Sequence, residues 1–187
     1  MLFKNNSNHY ISLLLSIFLL FIISIYQINN EDLWFDELIT FWITNPNFTD
    51  TETYQNVIIY ENTPPLYYFL LKKFFYLSGY NYELLRLPNI IFNVISIVVF
   101  FNLLKKFSEN NYFIFISLML FALNYFLTSY SLEGRVYSFY CLISLCFIDS
   151  YIGLINDKKN PPVIKFLYFL LISLILFNTF IFSLIIF

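Results

Sequence analysis

The run from Tyr10 to Ile28, YISLLLSIFLLFIISIYQI, holds nineteen residues without one charged side chain. A transmembrane helix needs about 20 mainly apolar residues, so this stretch predicts a membrane span. Lys4 precedes it as a basic residue precedes a secretory signal. However, Ile25-Tyr26-Gln27-Ile28 offers no small-residue cleavage site, which predicts an uncleaved anchor. Four further segments meet the same standard: 84–104, 112–128, 136–155 (with Asp149 near its end) and 163–187. The expected fold is all-α, a polytopic transmembrane helical bundle of about five spans.

Composition points the same way. The chain is 59% hydrophobic and 12% charged, with a mean hydropathy of +0.70, against roughly 45–50% apolar and 25% charged in soluble domains. Its 23% aromatic content accompanies a shortage of Gly, Ala and Val, so aromatic abundance alone does not indicate a ligand cage. A net charge of -2 leaves no basic stripe with which to neutralise phosphates, which excludes a nucleic-acid partner. The two cysteines, Cys141 and Cys146, lie in an apolar run without CxxC spacing and read as small buried hydrophobes.

Lysine and arginine near span ends set the orientation. A cytoplasmic N-terminus puts Lys4, Lys105-Lys106, Lys158-Lys159 and Lys165 inside. It leaves Lys72, Lys73, Arg86 and Arg135 outside with most of the carboxylates. The apolar stretch 64–77 could pass for another span, but Lys72 and Lys73 fall at its centre, where each costs about 2.5–3.5 kcal/mol on insertion scales. It is expected instead as an interfacial helix starting after Pro64-Pro65, its lysines reaching toward head groups. Residues 29–83 then form one large extracytoplasmic loop containing interfacial helices. The last apolar run reaches Phe187 with no polar tail after it, which reads as a truncated protein or a fragment of a longer one.

That loop opens with Glu31, Asp32, Leu33, Trp34, Phe35, Asp36 and Glu37. One reading is an acidic first helical turn favoured by the dipole, with Trp34 and Phe35 as belt aromatics. The other is a carboxylate base for an acceptor hydroxyl at the membrane surface. Adjacent helical residues point about 100° apart, so Asp36 and Glu37 are expected to play different parts. Glu61-Asn62-Thr63-Pro64-Pro65, Leu85-Arg86-Leu87-Pro88 and Tyr130 to Tyr137 (YSLEGRVY) fall on the same outer side. Arginine there is a snorkelling anchor or a bidentate grip on phosphate.

In order and spacing, a first span, LWFDE (33–37), TPPLYYFLLK (63–72), LRLP (85–88) and YSLEGRVY (130–137) resemble the amino-terminal part of the GT-C membrane glycosyltransferases. The likeness is to protein O-mannosyltransferase-like and Rgt-like enzymes, including the aminoarabinose transferases of lipid A, over residues 10–155. It implies a GT-C-like fold in the plasma (inner) membrane. It also implies transfer of a sugar from a polyprenyl-phosphate donor to a lipid, glycan or protein acceptor on the outer face. By that likeness Asp36 is the base and Glu37 its companion acid. Arg86, Glu133, Arg135 and Tyr137, with Lys72 and Lys73, bind donor phosphate or substrate. Thr63 stands where many relatives carry a His, and the sole His9 is on the cytoplasmic side. Carboxylates suit Mg²⁺ or Mn²⁺, yet no ligand spacing singles out a metal and no other cofactor is implied. Two other readings are a non-catalytic remnant or assembly subunit, and a small transporter component in which Asp149 marks an ion path.

Overall fold

The computed structural model describes residues 3–28, 32–156 and 163–179, and all regular structure among them is helical. The described residues form nine α-helices in chain order: α1 Phe3–Ile28, α2 Phe35–Ile43, α3 Asp50–Asn56, α4 Leu66–Ser78, α5 Leu87–Phe107, α6 Asn111–Ala122, α7 Tyr125–Leu132, α8 Tyr137–Asn156 and α9 Val163–Phe177. Glu31, Lys158, Lys159 and residues 180–187, all named in the sequence reading, lie outside the described residues.

Among the described residues, three helical segments are long and apolar enough to cross a membrane: His9–Tyr26, Tyr82–Phe107 and Tyr137–Asn156. They match the first, second and fourth expected spans. The expectation of one continuous span over 112–128 needs correcting, because the chain breaks there into α6 and α7. Asn124 causes the break: its backbone is extended, at φ -65° and ψ 118°. Its side-chain oxygen accepts from Leu127 N at 3.2 Å, capping a new helix. Asn93 of α5 then donates to Leu127 O at 3.2 Å and fixes that helix in place. At 1.5 Å per residue α6 is only about 18 Å long, against a hydrocarbon core of about 30 Å. The described part of the last expected span, α9, is likewise a shorter apolar helix.

Two cores hold the bundle. In the first, Leu20 of α1 packs with Ile97, Phe101 and Leu104 of α5 and with Ile114, Leu118 and Ala122 of α6. In the second, the extracytoplasmic segment of the sequence reading is seated on the bundle. Ile43, Val57, Tyr67, Tyr68, Leu71 and Phe75 pack with Leu85, Val136, Phe139, Ile143, Ile172 and Leu176. Helix α4 starts after the proline pair as expected, and Tyr67, Tyr68, Leu71 and Phe75 form its buried face. Burial of such side chains contributes roughly 1.5–3 kcal/mol each, so this layer is docked and not merely tethered.

The two ends of the bundle differ in chemistry. At one end Lys106 Nζ meets Asp149 Oδ1 at 2.7 Å, and Lys105 lies 5.4 Å from the ring of Tyr10. Arg86, just before α5, and Gly134 and Arg135, just before α8, meet at the other end. Helices α5 and α8 therefore run parallel, with α1 antiparallel to them.

Candidate functional site

The site forms where α2, the start of α5 and the turn before α8 converge. Helix α2 begins after Trp34, whose backbone is extended at φ -73° and ψ 157°. Trp34 N donates to Glu37 Oε2 at 2.9 Å, the reciprocal half of a capping box, which turns Glu37 back toward the helix start and inward. There Arg86 donates from Nε to Glu37 Oε1 at 2.9 Å and from Nη2 to Glu37 Oε2 at 2.7 Å. Arg86 Nη2 also donates to Asp32 O at 2.9 Å. Gly134 N completes the set, donating to Glu37 Oε1 at 2.7 Å. Glu37 is 0% exposed and Arg86 4%. A side chain at position 134 would run into buried Leu85, so only glycine lets this backbone approach the carboxylate.

One residue away on each segment, the environment reverses. Asp36 is 57% exposed, and its Oδ2 accepts from Arg135 Nη1 at 2.8 Å. Arg135 Nη2 reaches Glu61 Oε2 at 3.1 Å, with Glu61 only 3% exposed. Thr40 donates to the other Glu61 oxygen at 3.0 Å. Arg135 thus bridges a sealed carboxylate and an open one, and its guanidinium lies 5.5 Å from the ring of Tyr137. Burial acts to lower the Arg135 pKa, but Glu61 and the other neighbouring groups outweigh it and the net shift is upward, so the guanidinium stays charged.

Glu61 reaches Arg135 through local backbone geometry. Residues Val57–Glu61 form a π-helical turn that ends at Asn62, whose φ of 49° is left-handed. Asn and Gly tolerate that conformation best at a helix end. Beyond it Thr63 donates to Tyr68 Oη at 3.2 Å. Tyr67 donates to Asn89 Oδ1 at 3.0 Å. The Asn89 amide donates to Arg135 O at 2.8 Å and also to the carbonyl of Glu133, pinning the turn. Burial raises the hydroxyl pKa of both tyrosines well above the usual phenol range, so both are neutral hydrogen-bonding groups. Burial also raises the Glu133 carboxyl; Arg135 opposes this, and Glu37 and Asp36 reinforce it.

The structure therefore brings together Asp36, Glu37, Arg86, Glu133, Arg135 and Tyr137 of the sequence-identified residues. It sets Lys72 and Lys73 elsewhere: Lys72 pairs with Asp50 at 2.7 Å and Lys73 lies 5.1 Å from the Tyr76 ring. The pair Asp36-Glu37 divides into an open carboxylate and one closed off from any substrate. Glu61 and Asn89 received no role from sequence, although each lies in or beside a quoted motif. Asp149, the acid of the transport reading, is paired with Lys106 at the opposite end. Among the described residues no group of three or more His, Cys, Asp or Glu side chains could hold a metal ion. Asp36 and Glu61 instead share a guanidinium. In comparisons with known proteins, no family model, no curated sequence and no solved structure matches the chain.

Two outcomes follow from this geometry. Glu37→Gln leaves Arg86 dehydrated and uncompensated, and is expected to cost about 3–5 kcal/mol. Asp36→Asn breaks an open pair worth at most about 1 kcal/mol. Thermal unfolding of the two variants in detergent checks this, and equal losses contradict it. For Glu133, the native state holds a proton that the unfolded chain has lost between the ordinary value of 4.5 and the raised one. Stability contributed by this group therefore falls as pH rises through that window. Glu133→Gln is expected to remove that component, seen by comparing unfolding-versus-pH curves of the two proteins.

Proposed function

We propose that this chain is the amino-terminal part of a GT-C-type membrane glycosyltransferase. It moves a sugar from a polyprenyl-phosphate carrier to an acceptor hydroxyl at the extracytoplasmic face. The four ordered motifs support the reading, and one observation carries it: an open carboxylate, Asp36, standing against a half-buried guanidinium, Arg135, at the end of a membrane-type bundle. Around Asp36, Trp34, Phe35 and Leu38 are exposed and apolar, as expected of a helix at the membrane surface.

The chemistry follows from the unequal edges of Arg135. Its Nη2 edge is held by sealed Glu61, and its Nη1 edge by Asp36, which is free to move into solvent. A donor phosphate takes the Nη1 edge, where a guanidinium grips phosphate oxygens well. Asp36 is thereby released to accept the proton of the acceptor hydroxyl. The acceptor oxygen bonds to the anomeric carbon as the bond from that carbon to the carrier phosphate breaks. The configuration inverts, the proton resides on Asp36 and the lipid phosphate leaves held by Arg135. Glu37 and Arg86 are positioning residues that hold α2 and the 134–135 turn in register.

In the proposed topology the N-terminus is cytoplasmic and the protein resides in the plasma (inner) membrane. In this reading α6 and α7, two helices broken at Asn124, together return the chain from the Lys106 end to the Arg135 end, and with 163–187 they complete a five-crossing GT-C-like arrangement.

In the full-length protein, Asp36→Asn is expected to lower sugar transfer from a radiolabelled polyprenyl-phosphate donor at least 100-fold, in keeping with the ~10²–10⁴ range of general-base catalysis, while the unfolding midpoint stays close to wild type. Transfer at the normal rate would overturn the assignment of the base. For orientation, Asn47→Cys in a background lacking Cys141 and Cys146 is expected to react with an impermeant thiol reagent on intact cells. Labelling seen only after permeabilisation reverses the topology.

A further inference from the structure

Helix α4 carries two unlike faces. Tyr67, Tyr68, Leu71 and Phe75 are sealed against the bundle. On the other side, Phe69, Lys72, Lys73 and Tyr76 face Phe48 and Asp50 across an open cleft of about 800 Å³. That volume lies within the roughly 300–1,000 Å³ of ligand pockets. The cleft shares no lining residue with the Asp36–Arg135 pair.

The charges in this cleft are arranged asymmetrically. Lys72 is held inside, 12% exposed, whereas its partner Asp50, at 2.7 Å, is 86% exposed. The cation is therefore fixed by the fold and the anion can be exchanged. Lys73 forms no carboxylate pair among the described residues, and its ammonium lies 5.1 Å from the Tyr76 ring. Two cations and one displaceable carboxylate leave a net positive site open to an anion that approaches from Asp50's side. A phosphate oxygen can take Asp50's place at Lys72 without any movement of α4. The flank of the same helix exposes Leu70, Tyr76 and Leu77, an apolar border that soluble anions do not need and an acyl chain does.

We propose that this cleft binds the phosphate headgroup of an anionic phospholipid of the surrounding bilayer, with Lys72 and Lys73 on the phosphate and the Leu70–Leu77 flank against the acyl region. The carrier-lipid phosphate is assigned to Arg135 and not to this cleft, so the inference stands independently of the transferase reading.

Native mass spectrometry of the purified chain, released from mixed micelles holding equal phosphatidylglycerol and phosphatidylcholine, tests it. Wild type is expected to retain phosphatidylglycerol over phosphatidylcholine at least threefold. Asp50→Asn is expected to raise that ratio, and Lys72→Gln with Lys73→Gln to bring it to parity. Lys73→Gln alone, at an exposed position, is expected to lower it at least twofold and serves where the double variant does not fold. Parity in wild type, or a ratio that Lys73→Gln leaves at the wild-type value, overturns the proposal. Glycerol phosphate at matching concentration is expected to leave the lipid bound. Its displacement of the lipid assigns the cleft to a water-borne phosphate and overturns the lipid assignment.

Discussion

Removing a carboxylate from water costs several kcal/mol even after the protein relaxes, and that cost is offset only when a counter-charge and further donors meet every oxygen. Glu37 satisfies that condition with donors from Trp34, Arg86 and Gly134, which come from three separate stretches of chain. Each donor therefore constrains where its segment can lie. With the pair closed, α2, the start of α5 and the turn before α8 have one relative arrangement. Leu85, packed under Gly134, leaves no room for a side chain at that position.

The exposed chemistry follows from that buried contact by simple adjacency. Because Glu37 points inward to meet Gly134, its neighbour Asp36 leaves the helix about 100° away and reaches the surface. Because Gly134 is the inner contact, Arg135 is the next residue out. The sealed pairing of 37 with 134 thus sets up the open pairing of 36 with 135. Asn89 reinforces it by holding the carbonyls on both sides of Gly134. A rigid interior and an exchangeable surface pair are what a site needs if its charges are to be precisely placed yet available to a ligand.

Much of this was legible in the sequence, but unevenly. Hydropathy located the long helices because apolar length is a property of the residues themselves. The interruption at Asn124 was not legible, since one amide within an apolar run looks tolerable until its oxygen is seen to cap Leu127. The helical step of about 100° foretold that Asp36 and Glu37 would diverge. It could not say which would be buried, because that depends on Arg86 and Gly134, 49 and 97 residues away. Glu61 was hidden for a related reason: it reaches Arg135 through a π-helical turn closed by a left-handed Asn62, a departure that regular periodicity does not encode. Lys72 and Lys73 were recognised as unsuited to a span, but the cleft around them requires Asp50 and Phe48 to fold across from α4.

The most direct test of this arrangement is amide hydrogen exchange at Gly134, the backbone group that closes the Glu37 pocket. If its N–H is donated to a fully enclosed carboxylate, it is expected to exchange as slowly as the amides of α5 between Asn93 and Phe101, although it lies in a turn between helices. Exchange at the rate of an exposed loop would mean that the Glu37–Arg86 pair is not closed by this turn, and the link between the buried pair and the surface site would fall with it.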